Sequence, residues 1–333
     1  MSEPGWGFNR LLGQDTASRA LQGALKENRL SHALLFSGPP GSGKSTMAFL
    51  LAQAINCANR DAAPCEECRP CSKVAAGTHQ DVVRVEPEKK SLKIDQLREV
   101  KKRFAYHTYE TGSRVCILED ADKLTDAAAA SLLKIMEEPS ANLVFILTSS
   151  YPSQLPNTIL SRCQRYVMQR LKDEQMTILL RQAKPEATSE EIAMAVNLGE
   201  GIPGRARDVL LNEEWEERRQ TVYAAGEKMI STLVPEKDLL EEGQNWAQRT
   251  DLPDLLELLS VYFKDGLMWK ICGDPMAMVD QGQKDFWQAR QLTELELQKC
   301  LEIVNNSRRK LLSNINSTLA LETLFLQIRG RMH

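Results

Sequence analysis

The run Gly38-Pro39-Pro40-Gly41-Ser42-Gly43-Lys44-Ser45 satisfies every fixed position of the pattern G-x-x-x-x-G-K-[ST]. The chemistry open to such a segment is the holding of nucleotide phosphates, as in ATP. Its glycines let backbone N–H groups wrap the phosphates, and the N-terminus of a following helix adds positive dipole. Lys44 would neutralise the outer phosphates, and the Ser45 hydroxyl would hold Mg²⁺. A glycine-rich turn without function is the alternative, and the strand before the run and the helix after it count against that.

A second constellation is acidic. Val115-Cys116-Ile117-Leu118-Glu119-Asp120-Ala121-Asp122 is an apolar strand ending in carboxylates, the form of a Walker B motif. One acid helps hold Mg²⁺ and the next polarises an attacking water. The order here is Glu119-Asp120 where Asp-Glu is common. In register, Asp120 takes the catalytic position and reaches one methylene less far, which leaves nucleotide binding intact and handicaps hydrolysis. A merely solvated strand end is the competing reading.

The third constellation is Cys57, Cys65, Cys68 and Cys71, spaced C-x7-C-x2-C-x2-C. Four thiolates can close a tetrahedral Zn²⁺ site with no open position, so the site would be structural. Pro64 and Pro70 favour a compact loop around it. An iron–sulfur cluster competes with zinc, and buried structural cysteines are the bland alternative. Cys116, Cys272 and Cys300 read as ordinary apolar residues.

Strands and helices alternate around these groups. Strand runs are expected at 32–37, 81–85, 114–118 and 143–148, and helices at 45–57, 92–104 and 126–137, the last stopped at Pro139. This alternation predicts a parallel sheet covered on both faces, with apolar strands. After Leu171 strand signals cease. Helices are expected at 174–182, 189–198 and 203–211, and helical patterns continue from Trp215 to the end, with the stretch between Gly273 and Leu292 expected as a mobile loop.

The chain has 333 residues, enough for two or three domains, and its 42% hydrophobic and 26% charged residues suit a globular protein. The net charge of −3 supplies no global attraction to nucleic acid. No apolar run approaches a membrane span, and the N-terminus lacks a secretory pattern, so a cytoplasmic protein with reduced cysteines is expected.

Together with Ser161-Arg162-Cys163, the three constellations resemble the clamp-loader branch of the AAA+ family, the loader subunits of bacterial DNA polymerase III. Gly13-Gln14, His32, the approach Leu155 to Leu160 and the segment Asn314 to Glu322 also fit that family. In that branch a zinc module interrupts the ATPase domain after the phosphate-loop helix. The resemblance implies an arginine finger at Arg162, sensor 1 at Ser150 and sensor 2 at Arg205. The Glu-Asp-Ala-Asp order and the short stretch after the helical region favour the delta-prime branch over the gamma/tau motor branch. The fold implied is an α/β P-loop domain over 1–168 with a zinc module at 57–71, a three-helix lid over 169–213 and an all-α collar over 214–333. ATP, Mg²⁺ and Zn²⁺ are the expected cofactors. Gamma/tau and delta subunits, the sliding clamp and primed DNA are the expected partners, with no membrane. A gamma/tau-type motor, a free-standing P-loop kinase and a zinc-dependent DNA-binding module are the rivals. The Ser-Arg-Cys triplet and the helical C-terminal third count against the kinase, and the acidic balance against the DNA-binding module.

Overall fold

The structure is a computed structural model that describes residues 7–88, 91–105, 113–137, 142–212, 214–311 and 316–331. Pro139 and residues 314–315, on which two of the expectations fall, lie outside the described residues. Contacts divide the chain into two units, one of 1–186 with 199–207 and another of 187–198 with 208–333.

The first unit is built on five parallel strands: β1 (Ala33–Ser37), β2 (Val82–Val85), β3 (Arg114–Leu118), β4 (Leu143–Ser149) and β5 (Gln164–Val167). Their order is β2-β3-β4-β1-β5. Around them run α1 (Asp15–Lys26), α2 (Lys44–Asn56), α3 (Arg69–Ala75), α4 (Ile94–Ala105), α5 (Asp126–Glu137), α6 (Asn157–Leu160) and α7 (Asp173–Ala183). Strand side chains alternate between faces. Leu34, Phe36, Val115, Ile117 and Ile146 pack with Met47, Ala48 and Leu51 of α2. Ala33, Leu35, Cys116, Leu118, Phe145 and Leu147 pack with Leu97 of α4 and Leu132 of α5. Burial on both faces explains why these strands read as unbroken apolar runs.

Two helices follow, α8 (Ser189–Gly199) and α9 (Pro203–Leu211). The second unit then holds α10 (Glu214–Ile230), α11 (Glu236–Ala247), α12 (Leu252–Cys272), α13 (Lys284–Gln288), α14 (Glu294–Leu311) and α15 (Ser317–Arg329). Trp246, Trp287, Tyr262, Phe263 and Phe325 fill its core.

The expected loop between Gly273 and Leu292 is corrected by the structure. It carries 3₁₀ turns at Pro275–Ala277 and Gln281–Gln283 and then α13. The buried Asp265 carboxylate on α12 fixes it, accepting the N–H groups of Val279 at 2.7 Å and Asp280 at 2.8 Å. Asp280 is itself buried and accepts from the Arg219 guanidinium at 2.8 Å. Trp287 anchors the far end in the core. Among the described helices none is long and apolar enough to cross a membrane.

Candidate functional site

The phosphate loop joins β1 to α2, both central to the first unit. Its first N–H, on Gly38, donates to the Ser149 carbonyl at the end of β4, 3.2 Å away. Gly41 and Gly43 have φ of 78° and 92°, a left-handed backbone that glycine adopts without penalty. The N-terminus of α2 has no side-chain cap, so its first N–H groups face the loop. The Ser42 hydroxyl is buried without a protein partner. Lys44 is 7% exposed and donates to the carbonyls of Gly38 at 3.0 Å and Pro39 at 2.9 Å. Burial pulls its ammonium below the ordinary value, against the opposing pull of Asp120, Asp122 and Glu119. An orphaned hydroxyl, uncapped helix amides and a buried lysine make a polar cradle that suits an anion.

Glu119 follows β3 directly, and its N–H donates to the Val85 carbonyl of β2 at 2.9 Å. Its carboxylate accepts from the Ser45 hydroxyl at 2.9 Å, so the loop serine and the first acid of the acidic strand meet. Asp120 turns away through a left-handed φ of 48° and pairs with Lys123 at 2.8 Å. Its N–H donates to the Thr148 hydroxyl at 3.1 Å. Asp122 accepts from the Ser149 hydroxyl and, at 2.9 Å, from the Ser150 N–H. The end of β4 thus reaches the acidic loop through Thr148 and Ser149 as well as Ser150. The first two were missed, since hydroxyls at a strand end give no sequence pattern.

Gly204, at the start of α9, donates its N–H to the Gly41 carbonyl at 2.8 Å. A Cβ at Gly204 would sit 2.7 Å from the Gly41 Cα. This close approach brings the backbone of Arg205 beside the loop, while its guanidinium lies 3.5 Å from Glu200. Arg162 stands apart. Its guanidinium donates to Glu137 at 2.7 Å and to the Thr158 carbonyl at 2.9 Å, and none of its described hydrogen bonds reaches residues 38–45.

The four cysteines converge. Cys57 closes α2, Cys68 precedes α3 and Cys71 lies in its first turn. All four sulfurs lie within 4.8 Å of one another, with Cys57 and Cys68 Sγ 3.9 Å apart. A tetrahedron with metal–sulfur bonds of about 2.3 Å has edges of about 3.8 Å, so the set fits Zn²⁺ after small adjustments. The Gln53 amide of α2 donates to the Cys71 carbonyl at 3.0 Å and ties the cluster to the phosphate-loop helix. At Cys68 burial raises the thiol, but hydrogen bonds from Ala58 and Cys71 outweigh it and leave the group at about 7.

A parallel sheet in this order, with a glycine-rich loop leading into a helix and carboxylates at the adjoining strand end, defines an AAA+-type P-loop domain followed by a helical region. The family model of the DNA polymerase III delta subunit matches residues 13–172. The delta-prime subunit of DNA polymerase III from Bacillus subtilis is 28% identical, over 95% of this chain and 96% of that one. The tau subunit from the same organism is 33% identical over 50% of this chain, which covers 30% of its length. A gamma-subunit-related protein from Thermotoga maritima shares the fold, with a TM-score of 0.50 and 18% identity over 94% of this chain and 99% of that one. The chain is similar to subunits of DNA polymerase III, and it resembles the delta-prime subunit over nearly its whole length.

Proposed function

We propose that the chain is a delta-prime-type subunit of a clamp loader that places a sliding clamp on primed DNA during replication in the cytoplasm. In this reading ATP lies on Gly38 to Ser45, with Ser150 and Arg205 as sensors 1 and 2. Mg²⁺ supplies charge neutralisation between the phosphates, and Ser45 and Glu119 are the residues that would hold it. Asp120 occupies the water-polarising position but is turned toward Lys123, which supports slow hydrolysis by this subunit. Arg162 acts on ATP held by a neighbouring subunit, since its guanidinium stays charged and offers a fork of donors. Zn²⁺ on Cys57, Cys65, Cys68 and Cys71 orders the insertion after α2. The division into a P-loop domain (1–168), a lid (169–213) and a collar (214–333) belongs to the same reading, as do gamma/tau and delta partners.

The observation that carries this reading is the end-to-end match to a delta-prime subunit, against a match confined to part of tau. The complete phosphate loop favours a second reading, a gamma/tau-type motor. Two measurements decide. Co-purification from native extract should recover loader subunits, and their absence would end the loader assignment. Steady ATP turnover by the isolated chain would favour the motor. In the reconstituted loader, Arg162→Ala should leave ATP binding by this chain intact and lower clamp- and DNA-stimulated turnover. An arginine finger is worth roughly 10³–10⁵ in rate at its own site, and the loss summed over several sites is smaller. Undiminished turnover, with assembly verified, would rule out the finger.

A further inference from the structure

Glu119 is held on both sides. One oxygen accepts from Ser45, and the other accepts from Arg84 Nε at 2.7 Å. Arg84 lies on β2, the edge strand beside β3, with its guanidinium 5.1 Å above the Phe49 ring and also paired with Glu86. Ser45 and Phe49 are four residues apart on α2 and so share one ridge of that helix. The ridge therefore presents a hydroxyl to one oxygen of Glu119 and seats the cation that engages the other. Glu119 is well covered, with 14% of its side chain exposed, while Arg84 reaches it from the solvent side of the strand with 47% exposed.

A carboxylate attracts Mg²⁺ through its negative charge, and a guanidinium at hydrogen-bond distance offsets that charge for any third ion nearby. We propose that Arg84 is a positioning and charge-setting residue of the Mg²⁺ subsite. It fixes Glu119 against Ser45 and weakens the subsite's hold on the metal, so that nucleotide binding by this chain depends little on Mg²⁺. The proposal rests on the nucleotide-binding reading above.

The test is titration calorimetry of the full chain with a non-hydrolysable ATP analogue, in Mg²⁺ and in EDTA, for wild type, Arg84→Gln and Arg84→Lys. Couplings between two bound ligands commonly run from about 5- to 150-fold, so wild type should fall below about 5-fold and Arg84→Gln should rise to about 10-fold or more. Arg84→Lys keeps the charge and should behave as wild type. A residue that only supports the strand would alter affinity equally in both buffers. Equal Mg²⁺ dependence in wild type and Arg84→Gln, with nucleotide bound, overturns this inference alone. No binding by wild type in either buffer overturns the nucleotide-binding reading, and this inference with it. Arg84 is half exposed on an edge strand, so both variants should fold, and coincident thermal melts would verify this.

Discussion

Lys44 meets its own loop before it meets any phosphate. Its two bonds to the Gly38 and Pro39 carbonyls satisfy a buried ammonium that would otherwise be costly. A bound nucleotide must exchange those carbonyls for phosphate oxygens, which are charged and make stronger bonds. Lys44→Ala should therefore weaken ATP binding by about tenfold or more, since one charge-assisted bond is worth about 1.5–3 kcal/mol. Calorimetry on the isolated chain is the check, and unchanged affinity would show that the phosphates do not sit here. The loop and the four cysteines were legible because their residue types and spacing are dictated by chemistry. Arg84, Thr148 and Ser149 were not. They reach the site across neighbouring strands, and register between strands leaves no trace in a single sequence.

Among the elements, β1, β3 and β4 were legible because burial on both faces demands unbroken apolar runs, and the edge strand β2 was legible through its three valines, of which only Val85 is buried. Strand β5 was missed. Only Tyr166 of its four residues is buried, so Gln164-Arg165-Tyr166-Val167 lacks such a run. Helices α1 and α3 were missed as well. The first buries only Ala17, Ser18 and Leu21, and the second is seven residues spanning a cysteine and a proline. The stretch after α12 looked like a loop because its order comes from Asp265, whose partners are backbone groups.

That carboxylate carries a pH signature. Burial pushes its pKa up from 3.8 to about 6, against the two N–H groups that favour the charged form. The folded chain then holds the proton more tightly than the unfolded one. The resulting stability is present below about pH 4 and is lost as pH rises through about 6. Asn cannot titrate, so wild type should lose about 1–3 kcal/mol relative to Asp265→Asn between pH 4 and pH 7. Urea denaturation at the two pH values measures the difference, and a gap that does not change with pH would contradict the raised pKa.

At the scale of the whole molecule, the two units have separate cores. Four of the five tryptophans, Trp215, Trp246, Trp269 and Trp287, belong to the second unit, and the cysteine cluster belongs to the first. Removing zinc with a chelator, or losing one ligand in Cys68→Ser, should loosen the module after α2 and release the metal. Elemental analysis should find zinc in untreated protein, and iron or no metal would refute the assignment. In a Trp6→Phe background the emission of the second unit should stay constant as the metal leaves. A shifted spectrum would mean that the core of the second unit depends on the metal.

The contact between Gly41 and Gly204 has a consequence for how such a chain can change over generations. At Gly204 a methyl group would lie 2.7 Å from the Gly41 Cα, closer than any real contact, whereas at Gly41 it would lie 3.2 Å from the Gly204 Cα, a tight fit that asks its neighbours to give by a few tenths of an ångström. At Gly41 the left-handed φ adds a second obstacle. A first substitution at Gly204 must therefore push α9 away from the phosphate loop and cost the bond from the Gly204 N–H to the Gly41 carbonyl. Once that bond is gone, the other glycine loses this reason to remain small. Selection should therefore act on the two positions as one inherited unit, though 163 residues separate them in the chain. A lineage that abandons the docked arrangement would be free to lose both, and one that keeps it can lose neither.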